Sequence, residues 1–237
     1  MSTARVAVAD LVSAVRRQRS GTITPAWIAE RSSGCVTRVR GTQPGAGAST
    51  VAVALADVLT DGGVATIVDL AVDEAFGVSA SIDARADLAL RGWCGGRRGR
   101  ARVVRPVADV AAADAIPGHV IVDTQDSVWH VDSDVLVTRA TVPSVLRAEG
   151  ALADRSADVI AVVGASKWPA AARACFGPRL KVMDAQKRIV FFPSEPALEI
   201  NGLSAEPLPA STARAARHIL DLLERDAVAP GTNGGRS

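Results

Sequence analysis

Between Arg40 and Thr50 the chain reads Arg-Gly-Thr-Gln-Pro-Gly-Ala-Gly-Ala-Ser-Thr. A short β-type run, Val36 to Val39, precedes it, and an alanine-rich helical run, Val51 to Leu59, follows. A glycine-rich turn between a strand and a helix can do one kind of chemistry well. Successive backbone N–H groups curl round an anion, and the helix start adds a partial positive charge. Gly45, Ala46, Gly47, Ala48, Ser49 and Thr50 are therefore the candidate phosphate-binding residues. A working loop of this kind also carries a lysine just before its Ser/Thr, facing the β- and γ-phosphates. Ala48 stands there. The cradle is present and its cation is missing.

Two aspartates extend the constellation. Val64-Ala65-Thr66-Ile67-Val68-Asp69-Leu70 and His119-Val120-Ile121-Val122-Asp123-Thr124 are buried-strand patterns that each end in a carboxylate. In open α/β sheets ligands sit beyond the C-terminal ends of the strands, so Asp69 and Asp123 should flank the loop. A carboxylate there can hold Mg²⁺ through water or orient an attacking water, and Ser49 with Asp123 forms the candidate metal pair. Both aspartates could equally be caps for the turns that follow. Asp126, His130 and Asp132 cluster after Asp123 and read as a solvated loop rather than an acid–base set.

The elements that must position these residues alternate. Strand patterns fall at Val36–Val39, Val64–Leu70, His119–Val122, Val135–Thr138, Val159–Val163 and Ile189–Phe192. Helical patterns fall at Thr50–Leu59, Val142–Ala153, Trp168–Phe176 and Thr212–Leu223. Short continuous apolar strands separated by helices predict a three-layer α/β fold, a mostly parallel sheet with helices on both faces. A helical extension is expected over 1–34, the α/β domain over 35–226 and a disordered tail over 227–237.

Composition narrows the classes. With 237 residues and 48% hydrophobic content the chain can bury one sizeable core. A net charge of +2 names no partner by itself. Cys35, Cys94 and Cys175 are scattered and only three histidines occur, which argues against a zinc site or a disulfide framework. No apolar run reaches the roughly 20 residues of a membrane span, so a soluble cytoplasmic protein is expected. The most basic segment, residues 91–105, reads as a glycine-spaced loop whose Arg97, Arg98, Arg100 and Arg102 could contact nucleic-acid phosphates.

The order of these motifs resembles the ParA/MinD superfamily of deviant-Walker P-loop ATPases, from about Val36 to Leu223. The family loop, Lys-Gly-Gly-x-Gly-Lys-Ser/Thr-Thr, falls on Gln43-Pro44-Gly45-Ala46-Gly47-Ala48-Ser49-Thr50. Asp69 matches the first carboxylate of the next strand's Asp-x-Asp, with Ala71 at the second. Val120 to Asp123, with Thr124, matches the Walker B strand. Phe191-Phe192-Pro193 resembles the late strand whose proline loop approaches the adenine.

The departures all fall at nucleotide contacts. Ala48 replaces the P-loop lysine, Gln43 the signature lysine, Pro44 a loop glycine, and Gly164-Ala165 stand where the family places its base-reading asparagine. The resemblance with these losses implies a pseudo-ATPase, a scaffold or localisation and partitioning factor working through protein contacts. Its partner would be an active paralogue or a second copy in a homodimer. No cofactor is expected unless Arg40 or a partner's arginine substitutes for lysine, in which case the site would take ATP and Mg²⁺. The alternatives are an ATP-binding switch with a non-lysine loop and a DNA-binding module using the arginine-rich segment.

Overall fold

The computed structural model describes residues 36–70, 78, 82, 84–85, 93–106, 116, 118–124, 133–204 and 206–228. The expected extension over 1–34, the last residues of the expected tail (229–237), and Asp126, His130 and Asp132 lie outside the described residues. The strands are β1 (Val36–Gly41), β2 (Ala65–Asp69), β3 (Ala84–Arg85), β4 (Trp93–Arg98), β5 (Ala101–Pro106), β6 (His119–Asp123), β7 (Ser133–Arg139), β8 (Ala157–Val163) and β9 (Ile189–Phe192). They form one sheet in the order β3-β4-β5-β2-β6-β1-β7-β8-β9. From β5 to β9 every neighbouring pair is parallel; β3, β4 and β5 pair antiparallel at one edge.

Because side chains alternate across a strand, each central strand buries two faces. On one face Val39, Ile67, Val103, Ile121, Val137 and Ala161 pack under α1 (Ala48–Leu59) and α6 (Ala210–Val228). α1 is buried almost all round, and its alanines let it lie close against the sheet. On the opposite face Leu136, Ile160 and Val162 pack under α2 (Val142–Asp154), α3 (Ala170–Ala174) and α4 (Pro178–Ala185). Val68, Trp93, Val104, Val120 and Val122 continue that face towards the antiparallel edge. This is the expected three-layer α/β arrangement.

The helix ends have identifiable stops. Thr141 caps α2, its Oγ1 accepting from the Ser144 N–H at 3.4 Å, with proline in the first turn. Glu149, on α2, caps α4 by accepting from the N–H groups of Arg179 (2.9 Å) and Leu180 (3.0 Å). That contact joins the two helices that cover β7 and β8.

Several expectations need correction. The segment 91–105 is mostly a β-hairpin, β4–β5, that extends the sheet, not a loop. Its glycines serve the turn, where Gly99 has φ +53°, and close packing against β5. Arg98, expected on the surface, is 2% exposed. The helix expected over Trp168–Phe176 shortens to Ala170–Ala174, because Pro169 sits at its start. α4 and α5 (Pro196–Asn201) were not anticipated, and α6 runs two residues into the expected tail. Among the described residues no helix is long and apolar enough to cross a membrane.

Candidate functional site

β1 delivers the chain to the C-terminal edge of the sheet and the loop turns back from there. The Thr42 N–H donates to the Val137 carbonyl (2.8 Å) and the Ala46 N–H to that of Gln43 (3.1 Å). Gly45 (φ +73°) and Gly47 (φ +101°) make the two left-handed turns. A Cβ at Gly47 would crowd the Val163 methyls at 3.0 and 3.1 Å, and its φ strains any residue with a side chain. Gly47 is also the N-cap of α1 and offers no capping side chain. The N–H groups of Ala48, Ser49 and Thr50 therefore lie in the first turn of α1, where a helix has no acceptor of its own to give. Ala46 and Ala48 are buried and belong to the core under α1 and α6.

The predicted carboxylates come together. Asp69 and Asp123 are register partners on adjacent strands, both fully buried. Ser49 Oγ donates to Asp123 Oδ2 at 2.6 Å, which ties the loop to β6. Arg105 Nε lies 4.0 Å from Asp69 Oδ2. Thr124 turns inward: its N–H and Oγ1 both donate to the Val39 carbonyl at 3.0 Å, holding β6 to β1.

Two arginines that the sequence reading did not single out reach the loop. Arg139, the last residue of β7, donates from Nε to the Gly45 carbonyl at 3.0 Å. Arg147, on α2, donates to Gln43 Oε1, which also receives Ser144 Oγ at 3.5 Å. Arg40, the anticipated substitute, borders a separate cavity of about 480 Å³ with Gln43, Arg147 and Asp154. The signal for Arg139 was its place one residue past a predicted strand next to β1, where ligand-facing residues gather in such sheets.

The nucleotide side can be tested against these residues. Ser49 and Asp123 are the right donor types, close together, for a hydrated divalent cation. The first turn of α1 suits an anion. Beyond the loop, Gly47, Thr50, Gly164, Phe192, Pro193 and Glu195 line a cleft of about 70 Å³, small beside the roughly 300–1,000 Å³ of ordinary ligand pockets. Gly164 (φ +84°) offers no side chain to a base, and its N–H is used on the Phe192 carbonyl at 2.9 Å. Ser49 and Asp123 thus offer oxygen donors side by side, whereas Ala48 offers no charge and Gly164 no side chain.

No protein-family model matches the sequence, and neither does any curated protein. Solved structures do. A putative plasmid partition protein from Borrelia burgdorferi, bound to AMPPNP, aligns at 10% identity with a TM-score of 0.55, covering 81% of this chain and 98% of that one. Apo McdA from Cyanthece aligns at 9% identity with a TM-score of 0.53, covering 79% and 99%. At such identities the likeness speaks for the fold alone: the chain shares the three-layer α/β fold of these two proteins.

Proposed function

We propose that this protein is a pseudo-ATPase, a ParA/MinD-type fold that works as a scaffold or localisation and partitioning factor through protein contacts. One observation carries the reading. At the lysine position the Ala48 methyl is buried in the core, while the polar groups around it are engaged within the protein: Ser49 with Asp123, Gln43 with Arg147, the Gly45 carbonyl with Arg139. Phosphoryl transfer depends on positive charge held against the phosphates, and charge-assisted contacts there are about twice as strong as neutral ones. A loop lacking both lysines has lost that stabilisation while keeping its shape. The partition protein among the structural neighbours supports the setting, and a second copy or an active paralogue is the proposed partner.

A second reading has its own observation. Arg139 lies over the loop and borders the same cleft as Gly47 and Thr50, so a nucleotide-binding switch would use it, rather than Arg40, as the cation. Steady-state hydrolysis of Mg²⁺-ATP tests both. The scaffold reading predicts no turnover above background and none lost in Arg139→Ala. Turnover that Arg139→Ala abolishes would replace the first reading with the second. Sedimentation at high concentration tests the pairing: a monodisperse monomer would count against a homodimer.

A further inference from the structure

The cavity of about 480 Å³ beside the loop lies on the opposite side of β1 from α1. Val39 packs under α1, so Arg40, the next residue of β1, projects to the α2 side of the sheet. α2 contributes Arg147, Ala151 and Asp154, whose i, i+4, i+7 spacing puts them on one stripe of the helix. Ala151 is the small residue of that stripe and leaves space between its charged neighbours. The volume falls within the roughly 300–1,000 Å³ of ordinary small-molecule pockets. The cleft over Gly47 does not.

An arginine that serves this fold is saturated by it. Arg98, in the hairpin at the opposite end of the sheet, donates to both Asp57 oxygens (2.6 and 2.8 Å), to the Ser204 carbonyl (3.1 Å) and to that of Glu206 (2.6 Å). Arg147 is held differently. It is exposed, and its Nη1 donates to a neutral acceptor, Gln43 Oε1. Ser144 Oγ donates to the same oxygen at 3.5 Å, so the amide is fixed from two sides and in turn fixes the guanidinium. Among the described residues no carboxylate pairs with Arg147. A guanidinium carries five N–H donors in a planar fork, and the contact with Gln43 leaves most of them, and the whole charge, at the cavity wall. Arg40 adds a second guanidinium from the sheet side, and Asp154 is the single carboxylate that lines the space.

We propose that this cavity binds a small dianion of the dicarboxylate or phosphate class, gripped between Arg40 and Arg147. The walls set that chemistry. Two cations against one anion favour a negatively charged guest, and guanidinium forks match the paired oxygens of carboxylate and phosphate. Among the residues that line the cavity none is aromatic, so nothing there stacks on a base, and the first turn of α1 forms no part of the wall. A nucleotide is therefore the wrong guest. Gln43 acts as a positioning residue, aiming Arg147 without neutralising it. The inference stands whether or not the loop itself takes ATP.

The test is calorimetric titration of the full chain, at low ionic strength, with succinate, inorganic phosphate and the monoanion acetate. At least one dianion should bind at concentrations up to about 10 mM, tenfold beyond the weak end of ordinary small-substrate affinities. Acetate should bind about tenfold more weakly, since it engages one fork only. Arg40→Ala and Arg147→Ala should each weaken dianion binding about tenfold or more, as loss of a charged hydrogen-bond donor does. Ala151→Leu keeps every charge and substitutes a good helix former, but fills the space. It should abolish binding while the melting temperature holds. Asp154→Asn should tighten binding by removing the opposing charge. Absence of binding by both dianions would overturn the proposal. So would acetate binding as tightly as the dianions, or dianion binding unchanged in Arg147→Ala and Ala151→Leu, which would place the anion elsewhere.

Discussion

The two ends of the sheet treat charge in opposite ways. At the C-terminal end the loop has the backbone of an anion site, yet its cation position is a buried methyl and its neighbouring polar groups bond to one another. At the N-terminal end the hairpin buries one arginine in a saturated network and leaves its neighbours facing outward. The scaffold is the same; what differs is whether positive charge is spent inside or kept outside.

The largest effect should come from the buried arginine. Arg98→Ala would leave the Asp57 carboxylate and two carbonyls without their donor, and breaking such a pair costs about 3–5 kcal/mol. Arg97→Ala, one residue away on the opposite face, should stay within about 0.5 kcal/mol. Denaturant unfolding of the two variants measures the contrast directly. Similar losses from both would dissolve the distinction between anchor and surface.

At the loop end, Gly47→Ala should cost about 1–3 kcal/mol, since a side chain at φ +101° is strained and would press on Val163. Ser49→Ala should cost a comparable or smaller amount, about 1–3 kcal/mol, by removing a donor from the buried Asp123. Thermal unfolding followed by circular dichroism would sharpen this half of the comparison. If both changes prove neutral, the loop is not held as rigidly as its hydrogen bonds imply.

The smallest expected effect is on pH dependence. Burial raises the Asp57 carboxyl above its usual 3.8, against the opposing pull of Arg98. The folded state then takes up the proton first. Contributed stability from this group grows as pH falls through its raised value and is complete below about 3.8. The pair thus carries a desolvation cost at neutral pH even though losing only Arg98 would be worse. Unfolding free energy measured from pH 7 to pH 4 should show this contribution vanish in Asp57→Asn; an identical pH profile in the variant would refute it.

How much of this was legible in the sequence follows from the distances involved. β2, β6, β7, β8 and β9 were legible from their apolar runs, because strands covered on both faces need no polar alternation, and β1, Val-Thr-Arg-Val-Arg-Gly, from its β-branched residues before the glycine turn. Ser49, Asp69 and Asp123 were legible because strand ends and a glycine turn are local signals. The hairpin was not, since Gly95, Gly96 and Gly99 among arginines imitate a loop, and what makes them strand is packing against Val103 and Val104. The fate of Arg98 was hidden because its carboxylate partner lies 41 residues earlier and its carbonyl partners more than a hundred later. Arg139 and Arg147 escaped notice for the same reason: about a hundred residues separate them from the loop they touch.

The central claim is that the loop keeps its form without its ligand. Calorimetric titration of the full chain with Mg²⁺-ATP and Mg²⁺-ADP, beside the Ala48→Lys variant, tests it most directly. The account predicts no heat from wild type at ligand concentrations up to about 1 mM, the upper end of usual nucleotide-site affinities, and measurable binding once the lysine is restored. Micromolar binding by the wild-type chain would contradict it.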